Sequence, residues 1–129
     1  MTYRLSDRSY SKLKGVHPTL VMIVERAIQL TDIDFGVIEG LRTIAQQEEY
    51  VKKGTSKTMK SKHLRQQDGY GHAVDLAPYV GGKIPWDDRK AFARVSKAMK
   101  AAATEIGATI TWGGDWKTFY DGPHYQLEI

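Results

Sequence analysis

Four histidines and a handful of carboxylates are the side chains of this 129-residue chain best suited to hold a metal or move a proton. His63 follows Ser61 in a basic stretch. Asp75 lies in an apolar run behind the turn Asp68-Gly69-Tyr70-Gly71, and His124 follows Asp121-Gly122-Pro123 near the C-terminus. Two imidazoles and one carboxylate are a donor set that suits zinc. Three protein ligands with one coordination position left over is the open arrangement of a catalytic site. The absence of cysteine excludes a thiolate metal site, a thiol nucleophile, an iron–sulfur centre and a disulfide scaffold.

Strand geometry separates the histidines. On a regular strand Asp75 shares a face with Ala73 and Ala77, whose small side chains leave room around its carboxylate, while His72 points the other way. His72 is therefore read as structural, or as a group behind the site. His17, in GVHP before a helix start, is read as a capping or turn residue. Asp121, three residues before His124, is a candidate general base for the attacking water; it is also the residue type a DGP turn would contain in any case. Arg42, in EGLRT, could steady a developing oxyanion or simply form an ion pair. The segment Trp112 to Trp116 (WGGDW) suits a cleft wall or a buried aromatic corner.

The elements that must carry these groups are legible from periodicity and punctuation. Pro18 stands at a first helical position, followed by Leu20, Ile23, Val24, Ala27 and Leu30 at helical spacing. Asp34 to Glu39 reads as a strand. Thr43 and Gln46 form a capping box opening a helix that ends near Gly54. Residues 54–71 read as a long loop, and His72 to Ala77 as a strand. A helix after Asp87 and Asp88 carries the stripe Phe92, Val95, Met99, Ala102, Ile106 and stops at Gly107. Ala108 to Trp112 and His124 to Ile129 read as strands. The expectation is an α+β fold, a small antiparallel sheet packed with helices, in a single domain over residues 1–129.

Composition bounds the remaining classes. Hydrophobic residues make up 41% and charged residues 26%, an ordinary globular balance. The longest apolar run, Leu20 to Val24, is far shorter than the ~20 residues of a membrane span, so no stable membrane insertion is expected. The first residues, MTYRLSDRSYSK, contain no secretory h-region. Net charge is +4, and Lys52, Lys53, Lys57, Lys60, Lys62 and Arg65 share one window with no acid between them. That window is either a solvated loop or a patch for an anionic partner. Nucleic acid is not the expected partner, because the lysines lack interleaved aromatic residues for base stacking.

Taken together, Ser61-Lys62-His63, Gly71-His72-Ala73-Val74-Asp75 and Asp121-Gly122-Pro123-His124 resemble the Ser-x-His, Gly-x-Ala-x-Asp and Asp-x-x-His pattern of the VanY-like D-alanyl-D-alanine carboxypeptidase family. That family lies within the wider hedgehog/D-Ala-D-Ala metallopeptidase fold group. The segments LSDRSYSKLKGVHP, DFGVIEGLRT, GHAVDLAP and WGGDW are most similar to its phage L-alanyl-D-glutamate endopeptidase (endolysin) branch. The resemblance implies zinc ligands His63, Asp75 and His124, Asp121 as catalytic base, and Arg42 as transition-state stabiliser. The seven residues Leu64 to Tyr70 stand where the family pattern usually has two, which implies a looped-out insertion.

The resemblance further implies a zinc endopeptidase that cuts the L-alanyl-D-glutamate bond of the peptidoglycan stem peptide, as a single catalytic domain over residues 1–129 with no separate wall-binding domain. Such a protein would be made in the host cytoplasm without a signal peptide, pass the membrane with a holin-type partner and act on the cell wall as a monomer, in the periplasm if the host is Gram-negative. The alternatives on the same scaffold are a D-alanyl-D-alanine carboxypeptidase and a non-catalytic, hedgehog-like zinc-containing binding domain.

Overall fold

Short-range signals set the helix boundaries in the computed structural model, which describes residues 2–56 and 58–129. Lys57 of the basic window lies outside the described residues. Helix α2 (Pro18–Leu30) begins with Pro18, and the His17 ring accepts a hydrogen bond from Thr19 N, so His17 is its N-cap. Helix α3 (Ile44–Lys52) opens on the full Thr43–Gln46 capping box. Helix α4 (Arg89–Ile106) is capped by Asp88, which accepts from Lys90 N and Ala91 N, and it ends at Gly107 with φ of 83°. A first short helix, α1 (Asp7–Lys12), was not expected from the pattern; Ser6 caps it by accepting from Ser9 N.

Strands β1 (Phe35–Glu39), β2 (Ala73–Pro78), β3 (Thr109–Trp112) and β4 (His124–Glu128) form one antiparallel sheet in the order β1-β2-β4-β3. The fold is the expected α+β arrangement. Helices α2 and α4 pack on each other, and α4 also packs on β2 and β3. Leu20, Ile23, Val24 and Ala27 of α2 meet Phe92, Val95, Met99 and Ala102 of α4 in the core, with Val74, Leu76, Tyr125 and Leu127 from the sheet. Burying each of the larger side chains is worth about 1.5–3 kcal/mol, which fixes the register of the sheet beneath them. Leu30 departs from the expected stripe: it is exposed at the last turn of α2.

That register decides what the opposite face carries. Val74 pairs with Tyr125 toward the core, so the next pair, Asp75 with His124, faces away from it. On β1 the alternation is interrupted: Val37 pairs with Leu76 but Glu39 with Asp75, which leaves Ile38 as the extra residue of a β-bulge. The bulge brings Glu39, Asp75 and His124 into one row across three strands.

Among the described residues of 54–71 none belongs to a helix or a strand, but both ends of the Leu64–Tyr70 excursion meet. His72 N donates to the Lys62 carbonyl at 2.8 Å. Within it, Gln66 N bonds the Tyr70 carbonyl, and Asp68 Oδ2 lies 2.7 Å from His72 Nε2 and 3.7 Å from His17 Nε2. The excursion is thus pinned back on the fold by His72, away from the row containing Asp75.

Candidate metal centre and catalytic cleft

Three segments distant in sequence converge at the exposed face of the sheet. His63 Nε2 lies 3.3 Å from Asp75 Oδ1, and His124 Nδ1 lies 3.7 Å from the same oxygen. One ligating atom from each of His63, Asp75 and His124 falls within 4.8 Å of the others, a group that could hold a metal ion. His72 is not among them.

His63 is placed by a loop rather than a strand, and four contacts hold that loop. Ser61 Oγ accepts from His63 N at 3.1 Å, which gives the serine of Ser-x-His a physical role. The His63 carbonyl accepts from Arg42 N at 2.8 Å, and Leu64 N returns to the Ser61 carbonyl. Finally, His63 Nδ1 donates to the Gly40 carbonyl at 3.0 Å. A carbonyl only accepts, so Nδ1 carries a proton and Nε2 is the nitrogen that faces Asp75, where it can bind a metal once it is deprotonated. His124 is the mirror case: Nε2 meets Gln126 Oε1 at 2.8 Å, and Nδ1 faces the site. Fixing each ring through its remote nitrogen is how metal-ligating histidines are oriented.

The electrostatics agree with a cation site. Burial works against ionisation of Asp75, but hydrogen bonds from His124 and His63, together with their charges, hold its carboxyl well below the ordinary range. Burial also opposes a charged His124, yet the bonds to Asp75 and Gln126 push its pKa up. Asp121 lines the same cleft, and its pKa is raised, first by burial and then by the negative charge of Asp75.

Arg42 also reaches the cleft, in an ion pair. Its Nε and one terminal nitrogen donate to the two oxygens of Glu39 at 2.8 and 3.0 Å, and its other terminal nitrogen donates to Gln47 Oε1 at 2.6 Å. The guanidinium rests on the Tyr50 ring, 4.5 Å from its centroid, and approaches Asp75 Oδ2 to 4.0 Å. Glu39, Gln47 and Tyr50 were not singled out from the sequence. Gln47 is fully buried on α3, and its amide donates to Ser56 Oγ and the Thr58 carbonyl, tying the cleft's loop to the arginine. A polar residue on the inner face of a helix was the available signal.

The cleft encloses about 790 Å³. Lys60 and Lys62 of the basic window line it, whereas Lys53 pairs with Glu49 on the surface of α3. The WGGDW segment supplies both a corner and a wall. Trp112 is buried, donates Nε1–H to the Gly122 carbonyl at 2.7 Å and stacks on Tyr125. Trp116 lines the cleft with its ring 5.1 Å from that of His124. Asp115 turns outward to Lys100.

Between them, Gly113 allows the Asp121–His124 turn to close on β3. Asp121 N donates to the Gly113 carbonyl at 3.0 Å, and a Cβ at 113 would stand 2.3 Å from the Asp121 carbonyl oxygen and 3.1 Å from His124 Cβ. Gly113→Ala must therefore displace the backbone that holds both side chains. The expected outcome is about 1–3 kcal/mol of destabilisation in thermal unfolding together with loss of hydrolytic activity.

A small α+β fold whose sheet turns two imidazoles, a carboxylate and a second, partly buried aspartate into an open cleft has the make-up of a hydrolase whose site could hold a metal ion. Residues 1–128 match the family model of the phage L-alanyl-D-glutamate peptidase. The chain belongs to that family. It is 36% identical over 141 residues to the L-alanyl-D-glutamate peptidase of Escherichia phage T5, spanning 98% of this chain and 99% of that protein. It is 32% identical over 102 residues to the peptidoglycan L-alanyl-D-glutamate endopeptidase CwlK of Bacillus subtilis, spanning 74% of this chain and 61% of CwlK. The crystal structure of the Serratia marcescens L-Ala D-Glu endopeptidase ChiX superposes with a TM-score of 0.86 at 40% identity, over 97% of this chain and 90% of that one.

Proposed function

We propose that the protein is a zinc endopeptidase that hydrolyses the L-alanyl–D-glutamate bond of the peptidoglycan stem peptide, with His63, Asp75 and His124 as metal ligands. The observation that carries this reading is the pair of ring orientations. Gly40 and Gln126 occupy the remote ring nitrogens, so His63 Nε2 and His124 Nδ1 both face the Asp75 carboxylate, the arrangement three ligands of one ion need. Zinc bound there would supply a Lewis acid that polarises the scissile carbonyl and acidifies the attacking water.

Asp121 accepts the proton of that water as its oxygen attacks the carbonyl carbon. It then delivers the proton to the nitrogen of D-Glu as the C–N bond breaks, leaving a carboxylate on L-Ala and a free amine on D-Glu. Burial and the charge of Asp75 make the Asp121 carboxylate a stronger base than a free one. Arg42 has five N–H groups, and Glu39 and Gln47 engage one on each nitrogen. The remaining two serve the developing oxyanion from a guanidinium that is already fixed, which avoids reorganisation during the reaction. Lys60 and Lys62 suit the carboxylates of the stem peptide. Delivery by a holin-type partner and action as a monomer complete the reading, as expectations from the sequence.

Digestion of purified sacculi tests it. Mass spectrometry should show fragments with a new N-terminal D-Glu, and a chelator should abolish their release until zinc is restored. Loss of terminal D-Ala instead would assign carboxypeptidase action, and intact sacculi would assign a binding domain.

A further inference from the structure

Beyond the three ligands, β4 carries a chain of hydrogen bonds with a direction. His124 Nε2 meets Gln126 Oε1 at 2.8 Å, and Gln126 Nε2 donates to Glu128 Oε2 at 3.2 Å. Thr111 Oγ1 of β3 donates to the same Glu128 oxygen at 2.5 Å. Residues 124, 126 and 128 alternate onto one face of the strand, so the chain runs from the cleft to the sheet's exposed end.

A glutamine amide can present either its oxygen or its NH2 to a neighbour, so Gln126 alone would not choose a tautomer for His124. A carboxylate accepts only. Glu128 therefore takes the amide NH2, the amide oxygen is left for the histidine, and the histidine must place its proton on Nε2.

We infer that Glu128, acting through Gln126, is a positioning residue that sets the tautomer of His124 and thereby aims its Nδ1 lone pair at the metal. The inference rests on the metal-centre reading above. It concerns a surface residue two hydrogen bonds from the His124 ring.

The test reverses the direction of the chain. Lysine donates only, so Glu128→Lys should turn the Gln126 amide over, present NH2 to Nε2 and move the ring proton to Nδ1. In the metal-free protein, ring 15N NMR above the histidine titration range should show His124 protonated on Nε2 in the unmodified chain and on Nδ1 in the variant. Zinc affinity, read by competition with a chromophoric chelator, should fall ~10–100-fold, the usual cost of losing a partner behind a metal ligand. Gln126→Leu should lose a comparable amount. Ile129→Lys places a lysine at the neighbouring exposed position, with half the change in charge; it should change affinity by about twofold at most.

A native tautomer and native zinc affinity in both Glu128→Lys and Gln126→Leu would overturn the inference, as would an equal loss in Ile129→Lys. If the unmodified protein bound no zinc, the metal reading itself would fail, and the ring spectra would still decide whether Glu128 governs the tautomer.

Discussion

Asp121→Asn lowers kcat/KM on muropeptide substrate by about 10²–10⁴-fold, the usual contribution of a positioned general base, while zinc affinity stays near that of the unmodified protein. Asparagine keeps the shape of the side chain and the backbone bonds that Asp121 makes to Gly113 and His124, but it accepts no proton. The same substitution should make the metal-free protein more stable at neutral pH. Burial and Asp75 raise the Asp121 pKa above its ordinary value. A carboxyl whose folded pKa exceeds the unfolded one carries a penalty whenever it is ionised in the fold. That penalty is present at neutral pH and vanishes as pH falls below the unfolded pKa. Thermal unfolding of metal-free protein should thus show a gain for Asp121→Asn near neutrality that disappears in acid. Normal lysis by this variant would refute the assigned role.

Asp75→Ala has the opposite signature on stability and weakens binding of the proposed zinc. Losing one of the three protein ligands should cost about 3–5 kcal/mol, or ~10²–10⁴-fold in affinity, with hydrolysis falling to background. In the metal-free protein the Asp75 carboxylate is held low by the two histidines that hydrogen-bond it, against the opposing effect of burial. Its stabilising contribution is therefore present above the unfolded pKa and is lost only as pH falls through the depressed folded value. Removing it leaves His63, His124 and Arg42 without their common carboxylate. The expected cost at neutral pH is about 1.5–3 kcal/mol, read as a lower unfolding midpoint without metal. Two aspartates in one cleft thus respond to neutralisation with opposite signs, because one faces positive partners and the other faces a negative one.

The helices were legible because their signals are local. Pro18, the Thr43–Gln46 box, Asp88 and Gly107 each act within one turn of the chain, and each stands at the boundary it marks. Helix α1 escaped notice because it has only six residues and one fully buried position, too few for a periodicity. Gln126 was within reach, since a residue two positions from His124 on a strand must share its face. Glu39 was not: regular alternation from Val37 would send it to the core, and only the bulge at Ile38 returns it to the row of Asp75.

Residue types and two-residue alternation were enough to pick out two imidazoles and a carboxylate and to set His72 apart from Asp75. Both are properties of a chain segment taken alone. The convergence of positions 63, 75 and 124, the ring proton that the Gly40 carbonyl holds on His63, and the clamping of Arg42 by Glu39 depend on contacts between segments far apart in the chain. Those contacts follow from how the sheet's register and its bulge pack under α2 and α4, a balance of burial over the whole core that no local pattern encodes.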